Sequence, residues 1–422
     1  MVKSLEIRNA LIVTQNQGRE VLRGNIYAEG ERISYIGRET HNSDEIIDGT
    51  HKIVIPGLIN THCHVAMSHL RGKLDDMPLN KFLELTFKLD SERTNVGIYN
   101  SALLGIYEMI DSGVTSFVDL YYSEDLIAKA AKDAGMRAFL SWNTLDEDKT
   151  TQKGNPSANA ERFIGQFQQD GLITPSIGVQ GVYVASDEVY LKAKEIAERK
   201  DTIIHGHLGE TREEVYNFMA QHNGERPTEH LDRIGFLNRR FLAAHGVWNT
   251  TREVRLMGKN HCNVSWNPVS NAKLGVGGIA PVTEYRDNEV TVTVGSDSSG
   301  SNNNQELFQT MKFGSIWVKN ERWDPALTTA QEILDMATVN ASRALNRNDI
   351  GSIEIGKKAD FAILDMRTPR MMLTNEETAV SNIIYSADSS CVSDVIVNGK
   401  ILKRDRKLVG YDPVKLQGET FI

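Results

Sequence analysis

Hydrophobic and polar positions alternate in short runs near the start of the chain, the period of half-buried strands. Residues 4–13, 20–28, 32–36 and 45–48 read as strands joined by turns. The far end reads the same way, with strands at 359–365, 392–397 and 400–404 and an Asn398-Gly399 turn between the last two. Between these ends the period changes. Apolar runs at 52–58, 114–120, 137–142, 175–180, 202–207, 241–245, 263–266 and 290–296 alternate with helical spacing at 98–112, 125–134, 187–198, 212–222, 251–259 and 304–319. This alternation predicts a parallel sheet with outer helices, and eight strands suit an α/β fold of the (β/α)8 TIM-barrel type. The stretches 86–94 and 144–157 are expected to be irregular loops that shape a pocket. The two strand-rich ends, 1–55 and 349–422, are expected to build one small β-sandwich domain beside a barrel of 56–348.

Length agrees with this division: 422 residues suit a barrel of about 250–300 plus an added domain. A formal net charge of −9 argues against a nucleic-acid backbone as partner and suits a small neutral or cationic substrate. Cys63, Cys262 and Cys391 are too few and too scattered for a disulfide framework or a thiolate zinc site. They read as small buried hydrophobes in a reducing compartment. The opening Met1-Val2-Lys3-Ser4-Leu5-Glu6-Ile7 lacks the apolar run of a signal peptide, and no uncharged stretch approaches a membrane span. A cytoplasmic protein with no membrane partner is expected, and homo-oligomerisation is left open.

In a barrel of this kind, functional side chains project from the C-terminal ends of the strands. Histidines and acids gather there. The first strand leads into Thr61-His62-Cys63-His64, and residues two apart in an extended segment share a face. The fifth ends in His205-Gly206-His207 with Glu210 just beyond, the sixth at His245, and the eighth in Gly295-Ser296-Asp297. His62, His64 and His207 offer imidazole nitrogens and Asp297 a carboxylate oxygen, a mixed set that suits zinc and also ferrous iron. Coordination lowers the pKa of a bound water towards about 7, giving a hydroxide at neutral pH. Asp297 is placed to accept its proton and His245 to orient it. Glu210 sets the reaction class, because hydrolysis of an amidine-like carbon needs a carboxyl that moves protons to the ring nitrogen and the departing amine. The bland reading of Glu210 is an acid favoured by a helix N-terminus.

The string Pro56-Gly57-Leu58-Ile59-Asn60-Thr61-His62-Cys63-His64, followed by Leu70-Arg71-Gly72, resembles the opening signature of the cytosine/adenosine-deaminase-like branch of the amidohydrolase superfamily. The resemblance continues through His207-Leu208-Gly209-Glu210-Thr211, Ala243-Ala244-His245, Asn267-Pro268-Val269-Ser270-Asn271-Ala272-Lys273-Leu274-Gly275, Gly295-Ser296-Asp297 and Ser301-Asn302-Asn303. It closes with the run from Gly351 to Asp360 and so spans nearly the whole chain. The nearest branch holds 5-methylthioadenosine/S-adenosylhomocysteine deaminases and the triazine aminohydrolases and chlorohydrolases. The resemblance implies one divalent metal on His62, His64, His207 and Asp297, with Glu210 and His245 as acid/base groups. Binuclear relatives use a carboxylated lysine ending strand 4, and no lysine lies between Gly171 and Tyr190.

Substrate contacts depart from the branch. Its His-X-Pro-Tyr after strand 4 is Gln180-Gly181-Val182-Tyr183 here, and its strand-3 arginine is Trp142, a candidate stacking surface. The acid that grips ribose in that branch corresponds to Glu92 or Asp90. His205 reads as a hydrogen-bonded core histidine and His69 as either pocket or surface, while His222, His230 and His261 read as solvated or capping. Ser298-Ser299-Gly300-Ser301 has no nucleophile elbow around it, and Gly275-Val276-Gly277-Gly278 no nucleotide fingerprint. The expected function is hydrolytic deamination of a nitrogen heterocycle, an adenosine-type nucleoside first. A triazine, pterin or guanine ring, C–halogen hydrolysis, and an inactive barrel acting as a binding protein are the alternatives.

Overall fold

A computed structural model describes residues 4–421. Eight strands form its centre: β1 (Leu58–Cys63), β2 (Val114–Tyr121), β3 (Arg137–Thr144), β4 (Ile173–Val179), β5 (Ile204–Leu208), β6 (Phe241–His245), β7 (Asn263–Trp266) and β8 (Thr291–Val294). Each pairs in parallel with the next. The ring closes where Cys63 bridges Asp297 and the Asp297 amide donates to the His62 carbonyl at 2.9 Å. Both faces of these strands are covered, which is why β2 and β3 are buried at every position.

Alternation along the strands fixes what faces the axis. Ile59, Val118, Phe139 and Leu242 fill the lower end with Ile203, and Ala341, Ala344, Leu345 and Ile350 plug it from below. Above them the Thr61 hydroxyl bonds the hydroxyls of Ser265 and Thr293, each at 2.7 Å. Between Asn60 and Cys63 the register of β1 against β2 slips, a bulge that changes which residues face inward.

The termini meet in one nine-stranded sheet. Ser4–Val13 pairs with Val21–Glu29 on one side and, in parallel, with Glu45–Asp48 and Lys52–Pro56. Lys52–Pro56 in turn pairs with Phe361–Asp365, from which Val392–Val397 and Lys400–Arg404 continue. Leu5, Ile7, Ile26, Ile47, Phe361 and Ile396 share its core.

Two sequence expectations change. The strand expected at 52–58 is divided: Lys52–Pro56 lies in the terminal sheet, and the barrel begins at Leu58. The division falls at Gly57, whose amide donates to Asp360, while the next amide, of Leu58, donates to Gly113 of the barrel. A Cβ at Gly57 would sit 2.1 Å from the Thr115 side chain, so only glycine passes here. The loop expected at 86–94 is largely helical, because Leu79–Ser91 forms a helix. Phe82, Leu85 and Leu89 pack with Leu70 and Leu74, a local cluster that supplies the partner the helix needs. No helix among the described residues is long and apolar enough to cross a membrane.

Candidate active site

The slip in β1 makes the site. Ile59 and Thr61 face the axis below it, yet His62 and His64 face inward above it while the Cys63 thiol turns away to the Val118 carbonyl. His207 reaches the same point from β5 and Asp297 from the end of β8. The Asp297 carboxylate lies 3.7 Å from Nε2 of His62 and 3.5 Å from Nε2 of His64, and Nε2 of His64 lies 3.3 Å from Nε2 of His207.

Hydrogen bonds decide which nitrogen each ring presents. Nδ1 of His64 donates to the Leu120 carbonyl at 2.7 Å, and Nδ1 of His207 to the Gln180 carbonyl at 2.6 Å. His205 donates its Nδ1 proton to the Leu242 carbonyl, so its Nε2 accepts from Nδ1 of His62 at 2.8 Å. All three cradle histidines therefore turn an unprotonated Nε2 towards one another. Nε2 of His62 is buried with no hydrogen-bond partner. Three converging lone pairs beside a carboxylate repel unless a cation sits among them, so the residues present fit a divalent metal. Burial and the neighbouring imidazoles hold His62 and His207 well below the usual histidine range, which keeps them unprotonated as ligands must be.

Asp297 and His245 both stand in the left-handed region, with φ of +65° and +76°. Burial works to raise the Asp297 carboxyl, but His245, His64 and the Ser270 hydroxyl, 2.5 Å away, hold it below the ordinary range. The Ser298 amide adds a second bond at 2.7 Å. Nδ1 of His245 accepts from the side-chain amides of Asn271 and Asn267 at 2.9 and 3.2 Å, which leaves the ring's proton on Nε2. Burial pulls His245 down to about 4, so the ring is neutral at physiological pH. Its Nε2 is 3.6 Å from the Glu210 carboxyl. Burial, then the negative charges of Asp297 and Glu214, push Glu210 well above the carboxylate range.

The structure brings His62, His64, His207, His245, Glu210 and Asp297 together at the mouth. Gln180 also stands there, linked to Asn143 and, at 2.9 Å, to the Tyr183 hydroxyl. Trp142 does not. Phe139 and Ser141 face the axis, so alternation turns Trp142 outward against Phe163, its indole N–H donating to Gln152 at 2.9 Å. Asn143 takes the inward place, which counting from Phe139 would have given. Glu92 is exposed at the end of the helix Leu79–Ser91, whereas Asp90 is buried, bonded by the Tyr121 hydroxyl and 3.5 Å from Arg93. His69 faces Leu104 and Phe421 rather than the cradle. His230, expected to be solvated or capping, is buried between the Asp187 and Glu225 carboxylates, and His222 stacks on Phe218. Asn267, Ser270 and Asn271, which hold His245 and Asp297, lie within a quoted motif whose roles only the fold reveals.

A closed eight-stranded barrel with three imidazoles, a carboxylate and a second, buried acid at its C-terminal mouth has the build of a hydrolase that acts on carbon–nitrogen bonds. Residues 53–402 match the model of the amidohydrolase family, and the chain belongs to that family. It is 38% identical over 406 residues to a 5'-deoxyadenosine deaminase of Methanothrix thermoacetophila, covering 96% of this chain and 95% of that one. It is 35% identical to a 5-methylthioadenosine/S-adenosylhomocysteine deaminase of Archaeoglobus fulgidus, covering 94% and 92%. Among solved structures, an adenosine deaminase from Xanthomonas campestris with bound zinc superposes with a TM-score of 0.93 at 28% identity, covering 98% and 96%. An atrazine chlorohydrolase from Arthrobacter aurescens complexed with zinc shares the fold, with a TM-score of 0.89 at 22% identity and 98% of each chain covered.

Proposed function

We propose that the protein deaminates adenosine-type nucleosides by hydrolysis, with 5'-deoxyadenosine and 5'-methylthioadenosine as the leading substrates. The observation that carries this reading is the buried Glu210 carboxyl, 3.6 Å from Nε2 of His245, beside three converging imidazoles and Asp297. His62, His64, His207 and Asp297 would hold one zinc ion, with ferrous iron as the alternative. Such an ion supplies Lewis acidity and lowers the pKa of water.

The chain's own groups supply the rest. Water attack at the amino-bearing ring carbon requires a proton on the adjacent ring nitrogen, and Glu210 carries one. Its conjugate base then takes the second proton of the added water, from the new hydroxyl on the ring carbon, and passes it to the departing amine. Nε2–H of His245 donates a hydrogen bond to the attacking oxygen; the depressed carboxyl of Asp297 accepts the first proton from water and returns it to Glu210 once the amine has left, which restores both carboxyls. Asn143, Gln180 and Tyr183 present neutral hydrogen-bonding groups from the ends of β3 and β4, suited to sugar hydroxyls and an uncharged 5' substituent. The identity to curated deaminases over nearly the whole chain supports the nucleoside over a triazine. We read the protein as a cytoplasmic enzyme in which 56–348 carries the chemistry and 1–55 with 349–422 forms the supporting sheet.

Ammonia release from 5'-deoxyadenosine, 5'-methylthioadenosine, S-adenosylhomocysteine and guanine, with chloride and alkylamine release from atrazine, tests the reading. The first two are expected to give the highest kcat/KM. Turnover of atrazine or guanine with no adenosine deaminated would overturn it.

A further inference from the structure

Glu214 lies in the first turn of the helix Arg212–Gln221, where an acid ordinarily reaches back to the N-cap amide. It does something else. One carboxylate oxygen accepts the amide of Gly209 and the other the amide of Glu210, both at 2.8 Å. Its own amide is capped by the Thr211 hydroxyl at 3.0 Å, so the helix start is satisfied without the carboxylate. On the other side of the same segment, the Leu208 and Gly209 carbonyls accept from Gly246 and Trp248 at 3.0 and 2.8 Å. The turn carrying Glu210 is thus held from two directions: by the chain leaving His245, and by Glu214. Gly209, at φ +61°, supplies the left-handed step between them. Glu214 is buried. Burial raises its carboxyl above the ordinary range, and the backbone amide bonds oppose part of that rise.

We propose that Glu214 is a positioning residue: its carboxylate clamps the amides of Gly209 and Glu210 and so aims the Glu210 carboxyl at the substrate and at His245. The proposal rests on the proton-carrying role of Glu210. Glutamine at 214 keeps the shape but turns an N–H towards one of the two amides, which opposes donor to donor.

The test compares metal-loaded wild type, Glu214→Gln, Glu210→Gln and the double variant, using product release from whichever nucleoside or ring the panel shows to be turned over. Glu214→Gln is expected to lower kcat by about 10- to 100-fold with metal content intact and KM within about threefold. Added to Glu210→Gln it should cost nothing more, because a group acting only through Glu210 has nothing left to aim. Losses that multiply in the double variant overturn the proposal, as does a wild-type kcat in Glu214→Gln. A wild-type rate in Glu210→Gln strikes the shuttle reading itself and with it the catalytic half of this proposal. Amide hydrogen exchange over 208–211 in the wild-type protein decides the clamp even if Glu214→Gln fails to fold. Protection like that of β5 supports it, and rapid exchange refutes it.

Discussion

His205 makes no contact with substrate in this reading, yet replacing it with leucine should weaken the metal. Its ring is wholly buried between two bonds, accepting from Nδ1 of His62 at 2.8 Å and donating to the Leu242 carbonyl at 2.9 Å. In His205→Leu the Nδ1 proton of His62 has no acceptor, and a buried orphan donor costs about 1–3 kcal/mol. His62 escapes that cost by moving its proton to Nε2, which removes the lone pair it turns towards His64 and Asp297. Loss of a partner behind a metal histidine costs roughly 10- to 100-fold in affinity, or about 1.4–2.7 kcal/mol. Zinc competition against a chromophoric chelator measures this directly, and urea denaturation of the apo-protein measures the orphaned groups separately. Glutamine at 205 retains a carbonyl to accept and should recover part of the loss. A zinc Kd in His205→Leu within twofold of wild type would refute the tautomer argument.

Further outcomes follow from the same geometry. Glu210→Gln should keep its metal by elemental analysis yet lose deamination by several orders of magnitude, while His64→Ala should lose the metal itself. Gly295→Ala places a Cβ 2.8 Å from the His62 backbone and 2.5 Å from the Asn267 side chain. It should push β8 from β1, cost about 1–3 kcal/mol in chemical denaturation and lower metal occupancy by displacing Asp297. His69 is pulled down to about 3, chiefly by burial, from about 6.5 in the unfolded chain. Below pH 6.5 the unfolded chain then binds the extra proton, so stability falls with pH, by up to ~2 kcal/mol at pH 5 from this group. The acid limb of apo-protein stability should be shallower in His69→Leu by one proton, and an unchanged slope would count against a neutral His69.

The barrel and its cradle were legible because strand ends and ligand chemistry coincide: His62, His64, His207, His245 and Asp297 all close apolar runs. What the sequence hid was phase and partner. Trp142 looked like the pocket residue because it stands where the resembled branch carries its strand-3 arginine and could stack on a ring, but only the inward place of Phe139 shows that Asn143 faces the mouth. The run 52–58 looked like one strand because nothing local says that Gly57 hands the chain from one sheet to another. The helix Leu79–Ser91 was half missed because its apolar positions find their partners in the turn after β1. Asp90 and Glu92 sit two residues apart on that helix end, and only the position of Tyr121 tells which is covered.

The irregularity between Asn60 and Cys63 also separates folding from chemistry at the level of one residue. An unbroken pleat carried through the same residues from Ile59 would leave the ring of eight strands able to close. It would also rotate both imidazoles out among the helices and bring the thiol to the axis. Stability and catalysis in this protein are therefore written in different registers of the same six-residue segment, and a screen for soluble expression alone would pass a chain that had lost its site.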